Sequence, residues 1–131
     1  MEELYNIGID DETIKGMLEI NPEISELTDN DIKDKKDILT NIGCTHNQIL
    51  NIIGSNPILL SRTHEDIISL INYLENKGFD SLNILFDSNP YILNLEDFEI
   101  ENYINNRISS GEAIDDIIDD LDSNPILFSE M

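Results

Sequence analysis

Apolar residues recur along this chain in columns tied to its four prolines. Eight residues before each proline stand Ile14, Ile49, Leu82 and Ile117, and four before stand Leu18, Ile53, Phe86 and Leu121. A spacing of four puts each pair on one face of a helix. Two residues after the prolines come Ile24, Leu59, Ile92 and Leu127, and upstream of each lies a glycine: Gly8, Gly43, Gly78 and Gly111. A second set of stripes runs up to those glycines. "EDIISLINYLENKG" carries Ile67, Leu70, Ile71 and Leu74; "DKKDILTNIG" carries Ile38, Leu39 and Ile42; "EIENYINNRISSG" carries Ile100, Tyr103, Ile104 and Ile108. Glycine at such a place suits a left-handed helix cap. The pattern predicts helix, corner, second helix and short apolar turn, written four times.

Every proline follows an asparagine, and successive prolines are 35, 33 and 35 residues apart. A period in this range marks a repeat architecture. Proline disfavours helical geometry in the residue before it, so the second helix should end at the asparagine. Asparagine tolerates left-handed backbone and is expected to close the helix that way. The words "PILL", "PYIL" and "PILF" then read as a 3₁₀-like turn into the next unit. Two capping boxes are expected at second-helix starts, Thr45 with Gln48 and Ser109 with Glu112. The second box would draw Gly111 into the new helix and shift the last corner.

The fold class is therefore all-α, a short right-handed or left-handed helical-repeat solenoid. Its four units span roughly residues 1–29, 30–63, 64–96 and 97–131 of a single domain, and stacking buries stripes that no unit could bury alone. Unit one has room for only a short first helix. Unit four has no helix after "PILF" to cover it, so that end needs a polar cap or a second molecule, a homodimer included.

Composition narrows the class further. With 40% hydrophobic residues in 131, the chain holds too much apolar surface for a disordered acidic tail and enough for one core. No run of about 18 apolar residues suggests a membrane span. The start "MEELYNIGIDDE" lacks the basic and apolar regions of a signal peptide. Cys44 is the only cysteine, which suits a reducing, cytoplasmic setting and reads as a packed hydrophobe rather than a nucleophile. Twenty-eight acids against seven bases give a formal charge of −21. Such a surface repels phosphate backbones and anionic lipids and suits a basic protein partner.

Catalytic groupings are absent from the spacing. His46 and His64 sit near helix starts, where a histidine is more often a surface residue than a general base. No nucleophile elbow, phosphate loop, Cys-x-x-Cys or His-Glu-x-x-His occurs. Tyr5, Tyr73, Tyr91 and Tyr103 lie on or beside apolar stripes, which favours core packing over base stacking. "AIDDIIDDLD" sets Asp115 with Asp119 and Asp116 with Asp120 at i,i+4, a spacing able to collect divalent cations weakly but without the form of a calcium loop. A solvated face beside Ile114, Ile117, Ile118 and Leu121 explains it better. No catalytic, cofactor-binding or metal-ligating residue is assigned, and no cofactor is expected.

The words "LYNIG", "LTNIG" and "LENKG", followed downstream by "NPILL", "NPYIL" and "NPILF", resemble the mitochondrial transcription termination factor (mTERF) repeat. The fourth copy departs, with Arg107 where leucine is expected, and the first has Glu23 directly after its proline. The resemblance implies units of two α-helices and a short 3₁₀ helix stacked into a superhelix. It also implies nucleic acid lying along a basic concave groove. Phosphate contact needs aimed Lys and Arg, whereas Lys15, Lys33, Lys35, Lys36, Arg62, Lys77 and Arg107 are scattered, and Asp34 and Asp37 interrupt the one cluster. The expectation is a non-enzymatic binding module for a basic protein. The alternatives are a nucleic-acid-binding, transcription-related protein, or an acidic mimic of nucleic acid.

Overall fold

Only four residues in the chain have positive φ, and they are the corner glycines Gly8, Gly43, Gly78 and Gly111, at 97° to 107°. The computed structural model describes residues 1–131 and turns the chain at each of them. Unit one contains α1 (Glu2–Ile7), α2 (Asp11–Ile20) and a 3₁₀ helix, Pro22–Glu26. Unit two contains α3 (Asp29–Asn41), α4 (His46–Ser55) and Pro57–Ser61. Unit three contains α5 (His64–Asn76), α6 (Leu82–Ser88) and Pro90–Asn94. Unit four contains α7 (Asp97–Ser109), α8 (Ile114–Ser123) and Pro125–Glu130. The all-α repeat and its 3₁₀ turns are as the sequence predicts.

Like packs on like. First helices stack α1 on α3, α3 on α5 and α5 on α7; second helices stack α2 on α4 and α4 on α6; each 3₁₀ helix packs on the next. One apolar cluster runs through the stack from Leu4 to Phe128. The proline-minus-eight column is buried in all four units, and Ile24, Leu59 and Ile92 of the plus-two column are at most 1% exposed. Leu127, in the last unit, is only half-buried, and Phe128 fills the core there, its ring 6.0 Å from that of Phe79. A further buried column escaped the sequence reading: Met17, Ile52 and Leu85, five residues before their prolines.

Caps fix where helices start. Asp10, Thr28, Thr45 and Thr63 each accept from the amide three residues on, satisfying a donor that no helical carbonyl reaches. Thr28 with Asp31 and Thr45 with Gln48 complete reciprocal boxes. The expected box between Ser109 and Glu112 does not form. Gly111 keeps the same left-handed corner as the other three, and α8 starts after Ala113. Arg107 holds the Glu112 carboxylate through two bonds of 2.8 and 2.6 Å, so it does not reach back to Ser109.

The asparagines also differ from expectation. None is left-handed: Asn21, Asn56, Asn89 and Asn124 lie at φ −145° to −130°. Their role is carried by the side chain instead. Asn21 donates to the Pro57 carbonyl (3.1 Å) and the Ser61 hydroxyl (2.7 Å) of the next unit. Asn56 donates likewise to Pro90 and Asn94, and Asn89 to Pro125 and Ser129, all at 2.9 Å. These buried amides form a ladder in which each unit grips the one after it. Asn124 turns back to its own helix, onto Asp120.

Candidate binding surface

The four corners share one backbone device. The residue after each glycine donates to the carbonyl five residues back: Ile9 to Leu4, Cys44 to Leu39, Phe79 to Leu74 and Glu112 to Arg107, at 3.0 to 3.2 Å. This is the Schellman arrangement, which is usually accompanied by an apolar contact between the same two positions. Units one to three keep apolar side chains at both positions, and all six are buried. Unit four keeps the backbone and replaces the pair with Arg107 and Glu112. It also places Asp120 in the minus-five column, and Arg107 binds that carboxylate at 2.7 Å. Three apolar columns have thus become one ion cluster, with the Tyr103 hydroxyl donated to at 3.1 Å. The carboxylate of Glu112, then that of Asp120, holds the guanidinium firmly protonated.

That cluster decides what Arg107 offers a ligand, and the other cations are similarly committed. Arg62 donates to the Leu93 and Leu95 carbonyls and pairs with Glu96 at 2.9 Å, latching unit two to unit three. Lys33 and Lys36 pair with Asp37, Lys35 lies buried 3.6 Å from Asp34, and Lys77 pairs with Glu101 at 3.2 Å. Lys15 alone has no ion-pair partner. By residue blocks, 1–29 hold nine acids and one base, 30–63 three and four, 64–96 six and one, and 97–131 ten and one. Negative charge is concentrated at both ends of the stack, with a near-neutral waist at unit two.

The face of first helices carries shallow clefts. One of about 330 Å³ lies where α3 meets the start of α5, lined by Asp31, Asp34, Lys35, Arg62 and His64 among others. His64 Nδ1 stands 2.8 Å from Asp34 there, so this histidine does have a carboxylate partner. His46 packs near Gly8 instead. Between α5 and α7 a wider cleft of about 560 Å³ brings together Ile68, Ser69, Asn72, Tyr73 and Asp97. The Tyr73 hydroxyl donates to Glu101; burial, then that carboxylate, pushes the phenol up, and the bond holds Glu101 below the usual carboxylate range.

Other candidates from the sequence fall as follows. Cys44 is buried and its thiol is pushed up to about 11, chiefly by burial and then by Asp87. No group of three or more His, Cys, Asp or Glu side chains is arranged to hold a metal ion, and Asp120 of the α8 aspartates is occupied by Arg107. The tyrosines divide: Tyr73 and Tyr103 are half-buried and pack against the core as expected, whereas Tyr5, its hydroxyl on Asp11, and Tyr91 are exposed. Ile108 and Ile114, expected on buried stripes, are 44% and 40% exposed. No helix is long and apolar enough to cross a membrane.

The mTERF family model matches residues 1–108, which covers units one to three and nearly all of α7. No curated protein matches the chain. The match stops one residue after Arg107, where the ion cluster replaces the apolar corner. With the stacked two-helix and 3₁₀ units, the corner glycines and the Asn-Pro turns all in place, the chain belongs to the mTERF family.

Proposed function

We propose that the chain is a non-catalytic recognition module working in a nucleic-acid-linked, transcription-related setting. Family membership over residues 1–108 supports this reading. The electrostatics set its terms. Backbone binding draws on cations that can meet phosphates and release counterions, and six of the seven here already hold carboxylates. Direct contact falls to Lys15, the one cation without an ion-pair partner, and to the unit-two waist, where Lys33 and Lys36 lie at the surface and His64 follows at the start of unit three.

A second reading is favoured by the charge of −21: the module binds a protein with basic segments, drawn in by the acidic ends. Titration of the chain with duplex and single-stranded DNA and RNA at low salt separates the two, since phosphate contacts are strongest there. Saturable binding that weakens steeply with salt, and that falls when Lys33 and Lys36 become glutamine, supports the first. No binding to any nucleic acid removes direct contact and leaves the protein-mediated route.

A further inference from the structure

The residue directly after each proline forms a column that neither the core nor the ladder uses. In units two to four it is Ile58, Tyr91 and Ile126, and they are 44%, 42% and 69% exposed. Their neighbours at plus two point inward and are buried in units two and three. The 3₁₀ helices pack one on the next with the same backbone entry at each asparagine, so the three side chains line up as a stripe along that layer. Unit one ends the stripe with Glu23. Acids are close to it along the chain: Asp87 and Asp122 are four residues before Tyr91 and Ile126, and Glu130 is four after Ile126. Residues 64–131 as a whole carry sixteen acids and two bases.

We propose that this stripe is the docking surface for a basic amphipathic α-helix of a protein partner. The inference rests on the second reading above and gives it a location. Stacked helices lie roughly 8–10 Å apart, which sets the spacing of the three anchors. Seven residues of α-helix rise about 10.5 Å and return to within about 20° of the same face. An extended segment covers that span in about three residues and would turn successive side chains to opposite sides. The geometry therefore selects a helix with apolar residues at i, i+7 and i+14, flanked by Lys or Arg. A second copy of the chain is a poor occupant, because two surfaces of the same strong negative charge repel.

The test uses a synthetic lysine-rich peptide with leucine at every seventh position and a scrambled peptide of identical composition. Binding is measured by fluorescence anisotropy against the intact chain and against Ile58→Ser, Tyr91→Ser, Ile126→Ser and the triple variant. All three positions are exposed, and circular dichroism is expected to be unchanged. The expected result is about tenfold tighter binding of the patterned peptide, with the preference reduced in each single variant and lost in the triple. Equal binding of the two peptides, or a preference that survives the triple variant, overturns the stripe while leaving a basic partner in place. Failure of both peptides at low salt overturns the stripe and the basic-partner reading together.

Discussion

At the scale of the residue, the asparagine before each proline carries the most information. Asn56 and Asn124 share the same local setting, φ −133° and −130° ahead of a proline. They differ in what the amide meets: Asn56 is buried against Pro90 and Asn94 of the next unit, whereas Asn124 is exposed and bonds its own helix. Asn56→Ala should then cost about 1–3 kcal/mol, the penalty for stranding buried partners, and Asn124→Ala less than about 0.5 kcal/mol. Urea unfolding of both variants checks this, and equal losses would return the role to helix termination. The sequence showed that asparagine mattered but not how. Its partners lie 34 to 40 residues away, and a local explanation, left-handed capping, was available and incorrect. The acceptor column at plus four reads Glu26, Ser61, Asn94 and Ser129, and the last three are the ones that accept from an asparagine of the unit before.

At the scale of the element, corners and caps were the most legible features, because each is a local rule written in a few adjacent residues. Gly78 has φ 105° and open space, free of other atoms within 4 Å, where a Cβ would stand; Gly16 sits inside α2 with equally open space. Gly78→Ala should destabilise by about 1–2 kcal/mol from left-handed strain alone. Gly16→Ala should stabilise by roughly 0.5–1 kcal/mol through helix propensity. Thermal melts of the pair should therefore move in opposite directions. The capping carboxylates predict an acid limb. Backbone and side-chain bonds from Thr13, Glu3 and Thr28 hold Asp10, Asp29 and Asp31 below their ordinary range. The unfolded chain then takes up protons first as pH falls, so their stabilisation is intact above the ordinary carboxylate pKa of about 3.9 and is lost below it. Asp31→Asn should shrink that limb in a pH series of urea midpoints. The fourth corner was misread because the Ser109–Glu112 spacing fits a capping box; what decides against it is Arg107, which holds Glu112.

At the scale of the whole molecule, one cluster spans all four units, so damage at a single connector should travel. Leu59→Asp and Ile92→Asp place an unpaired charge at sites 1% and 0% exposed and should abolish the cooperative melt by circular dichroism. Salt should act the other way. With a charge of −21, raising ionic strength from about 10 mM to about 150 mM shortens the screening length from roughly 30 to 8 Å and should raise the Tm. The repeat was legible because periodicity is a property of the whole string. The ion cluster was half-legible: Arg107 stood out against the leucine column, but Asp120 hid the column to which it belonged. The surface stripe lies within the connector words "PILL", "PYIL" and "PILF" but was not legible there, since alternation in so short a 3₁₀ helix does not show which side faces water. The asparagine ladder, finally, has a direction. Each of its Asn-Pro asparagines reaches to the unit that follows and none to the unit before, so the array behaves like a row of hooks and eyes. An inserted block that carries its own Asn-Pro and the acceptor four residues after it would mesh at both seams, and such an array can be lengthened by copying whole units without redesigning any one of them.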